Sequence, residues 1–337
     1  MKIQSLIENH WYHKLNLGLS LIFYPLSLIF LLIIKVRYYL YRFKILPSYR
    51  IRVPIVIVGN LSVGGVGKTP ITKKIALDLT RLGIKVGVVL RGHGGTNLNP
   101  LEVQSNSLAK LVGDEALIYA KASLNTVVGI NRVKACNYLL KTHPDTQIII
   151  CDDGLQHYRL KRDYEIVVMD ASIDFTNYNL LPMGPFREPL SRLQQVSSLI
   201  INGGNSDCAQ VFSKHCPNLI INTQMQITRI FNPVLQIDVH NLHFDNLKTL
   251  LMAGIGNPLR FFNSCHNYGI KFDKTLSFPD HYHFKSTDIP NGYDAIIVTE
   301  KDYVKLESFN NDKIWVVEIE PQINDSKLIN EIKALID

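Results

Sequence analysis

The sequence predicts an α/β protein. It has a doubly wound, mostly parallel sheet covered by helices, a second and smaller α/β domain after it, and a membrane-associated helix ahead of both. Three observations predict this. An apolar β-branched run, a glycine-rich loop and a helical stretch follow one another over residues 53–82. Apolar runs of strand length alternate with helical spacing along most of the chain, as crossover-connected parallel strands do. Residues 15–34 form an uncharged apolar stretch, about 20 residues being enough to cross a bilayer core as a helix.

That stretch, LNLGLSLIFYPLSLIFLLII, is followed at once by Lys35, Arg37, Tyr38, Tyr39, Tyr41, Arg42 and Lys44. Aromatic and basic residues in such a belt place the chain beyond them on the cytoplasmic side. A cleaved signal peptide fits poorly, because the apolar stretch is long and no small-residue cleavage site follows. Asn16, Ser20, Pro25 and Ser27 weaken the segment. A spanning helix, a helix lying in the interface and a buried core helix therefore stay open, with membrane association expected for residues 1–48.

Residues 53–58, VPIVIV, have the composition of a buried strand. GNLSVGGVGKTP follows, and then Ile71, Ile75, Leu79 and Leu82 recur at helical spacing up to Gly83. Strand, glycine loop and helix in this order are the setting of a Walker A loop, and so of a P-loop NTPase-like sheet. The loop proper is Ser62, Val63, Gly64, Gly65, Val66, Gly67, Lys68 and Thr69, with Ser62 where the general pattern has glycine. Its glycines let backbone N–H groups converge on phosphate oxygens, and the helix N-terminus adds partial positive charge. Lys68 can reach the β- and γ-phosphates of ATP, and the Thr69 hydroxyl can hold Mg²⁺.

Such a loop needs a carboxylate at the end of a neighbouring strand. Residues 148–151, IIIC, end in Asp152-Asp153-Gly154, a Walker B candidate. In extended backbone the two side chains alternate, so only one of them touches the ion directly. Gly113-Asp114-Glu115 opens a further helical stretch, where acidic residues suit the helix dipole as well as catalysis. His281, in PDHYHF, reads as a metal ligand with His283, as a base positioned by a carboxylate, or as a solvated loop residue; the metal reading lacks further clustered ligands. Arg187 and Glu188 lie in LPMGPFREP, a rigid proline-rich loop that can present an arginine to phosphate charge or serve as a turn.

The net charge of +7 favours anionic partners, but the basic residues are scattered, which weakens a nucleic-acid reading. Five cysteines without a C-x-x-C pair argue against a disulfide framework or zinc knuckle. Further strands are expected at 85–90, 125–128, 147–151, 165–170 and 198–201. Residues 219–229 and 234–239 read as two strands linking a P-loop domain at 49–218 to a smaller α/β domain at 241–337. That domain would hold strands at 249–253, 270–276, 293–298 and 314–318, with helices near 257–268 and 326–336.

Taken in order, SVGGVGKTP, RGHGG, VGDEA, DDGLQH, LPMGPFREP, AGIGNPLRFF, FPDHYHF and VTEKDYVK behind an apolar helix resemble the tetraacyldisaccharide 4′-kinases of lipid A synthesis. The resemblance runs from about residue 10 to about residue 310. It implies transfer of the γ-phosphoryl of ATP to the 4′-hydroxyl of an acylated glucosamine disaccharide 1-phosphate at the cytoplasmic face of the inner membrane. The implied partners are that lipid and inner-membrane lipid, with no nucleic acid and no obligate protein partner.

By the same resemblance, Lys68 and Thr69 serve nucleotide and Mg²⁺, with Asp152 and Asp153 beside them. Asp114 takes the sugar hydroxyl proton, assisted by His281, and Glu115, Gln156, His157, Arg187 and Glu188 line the site. His93 stands where the family usually has tyrosine. A membrane-recruited P-loop ATPase switch is the alternative, but Val63 occupies its signature lysine position. A GTPase would carry N-K-x-D, and Thr299-Glu300-Lys301-Asp302 sets the lysine one place late.

Overall fold

The computed structural model describes every residue except 1, 174–176, 204–206, 241–243 and 324–325. The chain opens with helices α1 (Lys2–Tyr12) and α2 (Leu17–Arg42). Asn16 caps α2, its Oδ1 accepting from the Leu19 amide at 3.1 Å. One side of α2 is docked on the rest of the protein. Ser27 Oγ donates to the Leu180 carbonyl at 2.6 Å and accepts from the Met183 amide at 3.0 Å. Phe30, Leu31 and Ile34 pack against the core at helical spacing. The opposite side is apolar and bare, with Leu17 81% and Leu21 80% exposed. Among the described residues α2 is the one helix long and apolar enough to cross a membrane.

The first sheet has eight strands: β1 (Ile55–Gly59), β2 (Val86–Leu90), β3 (Leu101–Val103), β4 (Asn125–Val128), β5 (Ile148–Asp152), β6 (Tyr164–Asp170), β7 (Ser198–Asn202) and β8 (Leu219–Thr223). Their order is β3-β4-β2-β5-β1-β6-β7-β8, parallel except for the short edge strand β3. The apolar runs are continuous because both faces are covered. In β1, Ile55 and Ile57 enter the core layer on one face, Val56 and Val58 that on the other. The covering helices include α3 (Lys68–Arg81), α4 (Ala109–Val112), α5 (Asp114–Lys121), α6 (Arg132–Thr142) and α7 (Asp207–His215). After β1 the chain builds outward on the β5 side, then crosses to β6 on the other. This reversal puts a ligand crevice at the carboxyl end of β1.

The second sheet comprises β9 (Met225–Asn232), β10 (Ile237–Val239), β11 (Thr249–Ala253), β12 (Lys274–Ser277), β13 (Ala295–Thr299) and β14 (Ile314–Pro321), in the order β10-β9-β14-β13-β11-β12. With it go α8 (Pro258–Asn267) and α9 (Glu300–Leu306), and α10 (Ser326–Lys333) follows β14 in the chain. The predicted fold class is the one the chain adopts. Its internal divisions differ in three places.

The stretch 219–229, read as one linking strand, breaks at Gln224. Leu219–Thr223 extends the parallel register beyond β7, whereas β9 pairs antiparallel with β14 and sinks Ile227 and Ile230 into the second core. The expected boundary at 240/241 adjoins undescribed residues. The strand expected from residue 270 starts at Lys274, because Ile270 is buried in the core layer that includes Phe261, Phe262 and Cys265 of α8. The last helix, α10, does not stay with the second sheet. Leu328 and Ile332, four residues apart, enter the first-sheet layer that holds Ile75 and Leu79 of α3, and Tyr164 Oη donates to Glu331 at 2.6 Å.

Polar ties join the two halves. Lys73 of α3 reaches Glu300 at 2.8 Å and Glu318 at 2.7 Å, and Arg260 of α8 reaches the buried Asp170 at 2.6 Å.

Candidate active site

The glycine loop runs from the end of β1 to the first turn of α3, and its outer edge is held by residues 185–187. Val63 N donates to the Pro185 carbonyl at 2.9 Å and Arg187 N to the Leu61 carbonyl at 2.6 Å. The loop LPMGPFREP therefore braces the phosphate loop and delivers Arg187 beside it. Asn60, fully buried, orders what is left. Its Nδ2 donates to the Ser62 carbonyl at 2.6 Å, and its Oδ1 accepts from Lys68 Nζ at 3.1 Å and from Arg187 Nη2. Lys68 and Arg187 also lie 3.3 and 3.7 Å from Asp153 Oδ1. Two cations thus converge beside the loop amides, an arrangement suited to a polyphosphate.

The two carboxylates after β5 differ in setting. Asp152 is buried, accepting from Tyr119 Oη at 2.5 Å and standing 3.5 Å from Thr72 Oγ1. Burial, with the charge of Glu115 next, pushes its carboxyl up to about 6. Asp153 turns out of the strand with φ +48°, a left-handed conformation that aspartate tolerates. Burial would raise it, but Lys68 and Arg187 outweigh burial and hold it below the ordinary carboxylate value. Arg132, fully buried, ties this turn from behind, donating to the Asp152 carbonyl at 3.1 Å.

Asp114 heads α5, the helix whose Tyr119 touches Asp152. Gly113 before it has φ +85°, and a Cβ there would stand 2.5 Å from the His93 carbonyl, so only glycine fits this crossing of the RGHGG turn. Opposite, His281 from the second half sits at φ +57°, with Nδ1 3.0 and 3.2 Å from the Asp114 oxygens. The His93 ring meets the His281 ring edge-on, centroids 4.8 Å apart. Lys301 Nζ lies 3.2 Å from Glu115 and 3.2 Å from Asp280. Burial would raise the Asp114 carboxyl, but the His281 hydrogen bond and the charges of Lys301 and Lys305 hold it below the usual range. The same hydrogen bond raises His281 above the ordinary histidine value against burial and Lys301.

The structure therefore brings together Lys68, Arg187, Asp152, Asp153, Asp114, Glu115 and His281. Gln156 and Glu188 sit behind the loop as a brace. Gln156 Nε2 donates to the Asn60 carbonyl at 3.3 Å and to Glu188 at 3.0 Å, and the nearly inaccessible Glu188 also accepts from Tyr158 at 2.8 Å. Burial, then the charges of Arg132 and Arg162, drive His157 down to about 4, so it stays neutral at physiological pH. Among the described residues no group of three or more His, Cys, Asp or Glu could hold a metal ion by itself. Sequence reasoning missed Asn60, Tyr119 and Arg132. Only the position of Asn60, directly after β1, could have signalled its role.

The profile of one family, described as tetraacyldisaccharide-1-P 4′-kinase, matches residues 19–337. The chain belongs to this family. The tetraacyldisaccharide 4′-kinase of Chromobacterium violaceum is 41% identical to it over 320 residues, covering 94% of this chain and 93% of that one. The kinase of Legionella pneumophila strain Corby is 39% identical, covering 95% and 94%. The crystal structure of LpxK from Aquifex aeolicus in complex with ATP superposes with a TM-score of 0.79 at 26% identity, covering 93% of this chain and 98% of that chain. With the 4′-kinase family shown, the ATPase-switch alternative is not favoured.

Proposed function

We propose that the chain transfers the γ-phosphoryl of ATP to the 4′-hydroxyl of a tetraacyl glucosamine disaccharide 1-phosphate, giving a lipid IVA-type precursor of lipid A. The observation that carries the residue roles is the His281–Asp114 contact at 3.0 Å, made across the two halves of the protein on the helix that also touches Asp152.

Lys68, the loop amides and the N-terminus of α3 hold the β- and γ-phosphates, and Arg187 meets charge that grows as the phosphoryl moves. Asp114 takes the 4′-hydroxyl proton while the sugar oxygen forms its bond to phosphorus and the bond to the ADP oxygen breaks. A sugar hydroxyl is a weak acid, so this proton moves as the transition state forms. His281 orients the carboxylate and shares the proton. Thr69, Asp152 and Asp153 would hold Mg²⁺. Burial raises the Asp152 carboxyl, with the charges of Glu115 and Asp153 adding to it, and a divalent cation there would favour its ionised form. One or two carboxylates plus phosphate oxygens are its usual ligands. When bound, the ion would supply positive charge against the phosphate groups.

The lipid acceptor is met at the cytoplasmic face of the inner membrane, through the bare side of α2. Since Ser27, Phe30, Leu31 and Ile34 are committed to the protein's own core, α2 lies along the surface with its other side in lipid. The combined variant Leu21→Ser, Leu28→Ser and Leu32→Ser changes residues 80%, 51% and 62% exposed. Each leucine removed from lipid costs about 1.5–3 kcal/mol, so binding to vesicles should weaken more than about 100-fold while circular dichroism is unchanged. Undiminished sedimentation with vesicles would refute this seating.

The activity itself is tested with γ-labelled ATP and the acylated disaccharide 1-phosphate. Label should appear in the lipid, one ADP per lipid modified. ADP release without lipid labelling would count against the proposal.

A further inference from the structure

We propose that Asn202 reads the nucleobase and selects adenine, an inference that rests on the P-loop being the ATP site. In-line transfer sets the acceptor oxygen, the γ-phosphorus and the leaving oxygen in one line. The groups assigned to the reacting end, Asp152, Asp153, Asp114 and His281, gather on the β5 side of β1. The nucleoside must therefore leave on the other side, over the carboxyl ends of β6 and β7.

At the end of β6, Asp170 is already engaged, by Arg260 at 2.6 Å and by Ser172 Oγ at 2.6 Å. At the end of β7 stands Asn202, with no exposed surface. Its Nδ2 donates to the Val66 carbonyl of the phosphate loop at 3.1 Å, which fixes which end of the amide is nitrogen. Its Oδ1 is buried and has no hydrogen-bond partner among the described residues. A buried acceptor left unpaired is costly and calls for an explanation.

The amide offers that explanation. One Nδ2 hydrogen is spent on Val66; the other, beside the free Oδ1, leaves a donor and an acceptor side by side. Adenine presents the complement, the N7 acceptor and the 6-amino donor. Guanine presents N7 and O6, two acceptors, and O6 facing Oδ1 repels. Gly67 makes the close approach possible, since a Cβ there would stand 2.9 Å from Asn202 Nδ2 and 2.8 Å from Met225 Cε. Met225, flexible and polarisable, packs beside this amide and is the side chain that yields to the purine ring and lies against it.

The test compares kcat/KM for ATP and for purine riboside triphosphate, which lacks the 6-amino group, in the full chain and in Asn202→Ala. The unmodified chain should lose about tenfold on deletion of the amino group, the cost of one buried unpaired partner. Asn202→Ala should lose about tenfold with ATP and then show no further preference between the triphosphates, the non-additivity of groups in direct contact. An Asn202 that only braces Val66 would lower both triphosphates equally and leave the tenfold preference intact, which would overturn the proposal. Equal use of both triphosphates by the unmodified chain would overturn it without any variant. Transfer from neither would instead refute the ATP-site reading beneath it.

Discussion

Asp114→Asn is expected to lower kcat by about 10²–10⁴, the usual worth of a positioned general base, with the KM for ATP unchanged within about twofold. The asparagine keeps the shape of the side chain and an acceptor for His281, so the crossing at Gly113 and the seat of α5 survive. Only the ability to take a proton is lost. The pH dependence carries the sharper test. A proton on His281 places a positive charge 3.0 Å from the Asp114 carboxylate, which weakens that carboxylate as a base.

The competent form therefore has an ionised Asp114 and a neutral His281. The Asp114 carboxyl is held low and the His281 imidazole is held high. Activity in the unmodified chain should then fall as pH drops through the raised His281 value, above the ordinary 6.5 of histidine. In Asp114→Asn the hydrogen bond that raises His281 is weakened, and whatever activity remains should lose that limb toward lower pH. A variant within tenfold of full activity, or an acid limb that does not move, would remove Asp114 from the proposed role.

How much of this was legible beforehand follows from the range of each interaction. The phosphate loop could be read because its chemistry is local. Eight consecutive residues supply the amides, the lysine and the hydroxyl, and the strand and helix around them announce themselves by composition. Asp152 and Asp153 were legible for the same reason. The Asp114–His281 pair was not, because 167 residues separate its members. Spacing leaves each with bland readings, a dipole-compensating first turn for one and a solvated loop for the other, and only the family resemblance joined them.

Asn60, Tyr119, Arg132 and Asn202 were passed over because a polar residue beside an apolar run looks the same whether it faces water or a buried carbonyl. The division of the chain went astray at α10 for a related reason. Its Leu328 and Ile332 stripe predicts a buried face but does not say which sheet will cover it. The brace made by Gln156 and Glu188 shows the converse. Both match family positions, yet their side chains reach Asn60, Tyr158, Arg192 and each other, so their expected effect is on the posture of the loop.

Lys68→Ala is expected to lower kcat/KM for transfer by about 10³ or more, since removal of one preorganised charge-stabilising donor alone costs about 10²–10³. Two contacts make this lysine hard to replace. Its ammonium shares Asn60 Oδ1 with Arg187 and stands 3.3 Å from Asp153, so it is held in place before any phosphate arrives. Arginine is a poor substitute, because a planar fork cannot occupy the position of a compact point charge without displacing Arg187. Arg187→Ala should act on the same step with a smaller loss.

The double variant should fall short of the sum of the two losses, because both cations answer to one oxygen and one carboxylate. With both gone, Asp153 loses the charges that depress it, and its carboxyl should rise toward the value burial imposes. Measured at fixed lipid with varied ATP, these losses should appear without a change in thermal stability beyond a few degrees. Full additivity would mean that Lys68 and Arg187 act on separate groups. Near-normal transfer by Lys68→Ala would mean that the glycine loop does not hold the phosphoryl being moved.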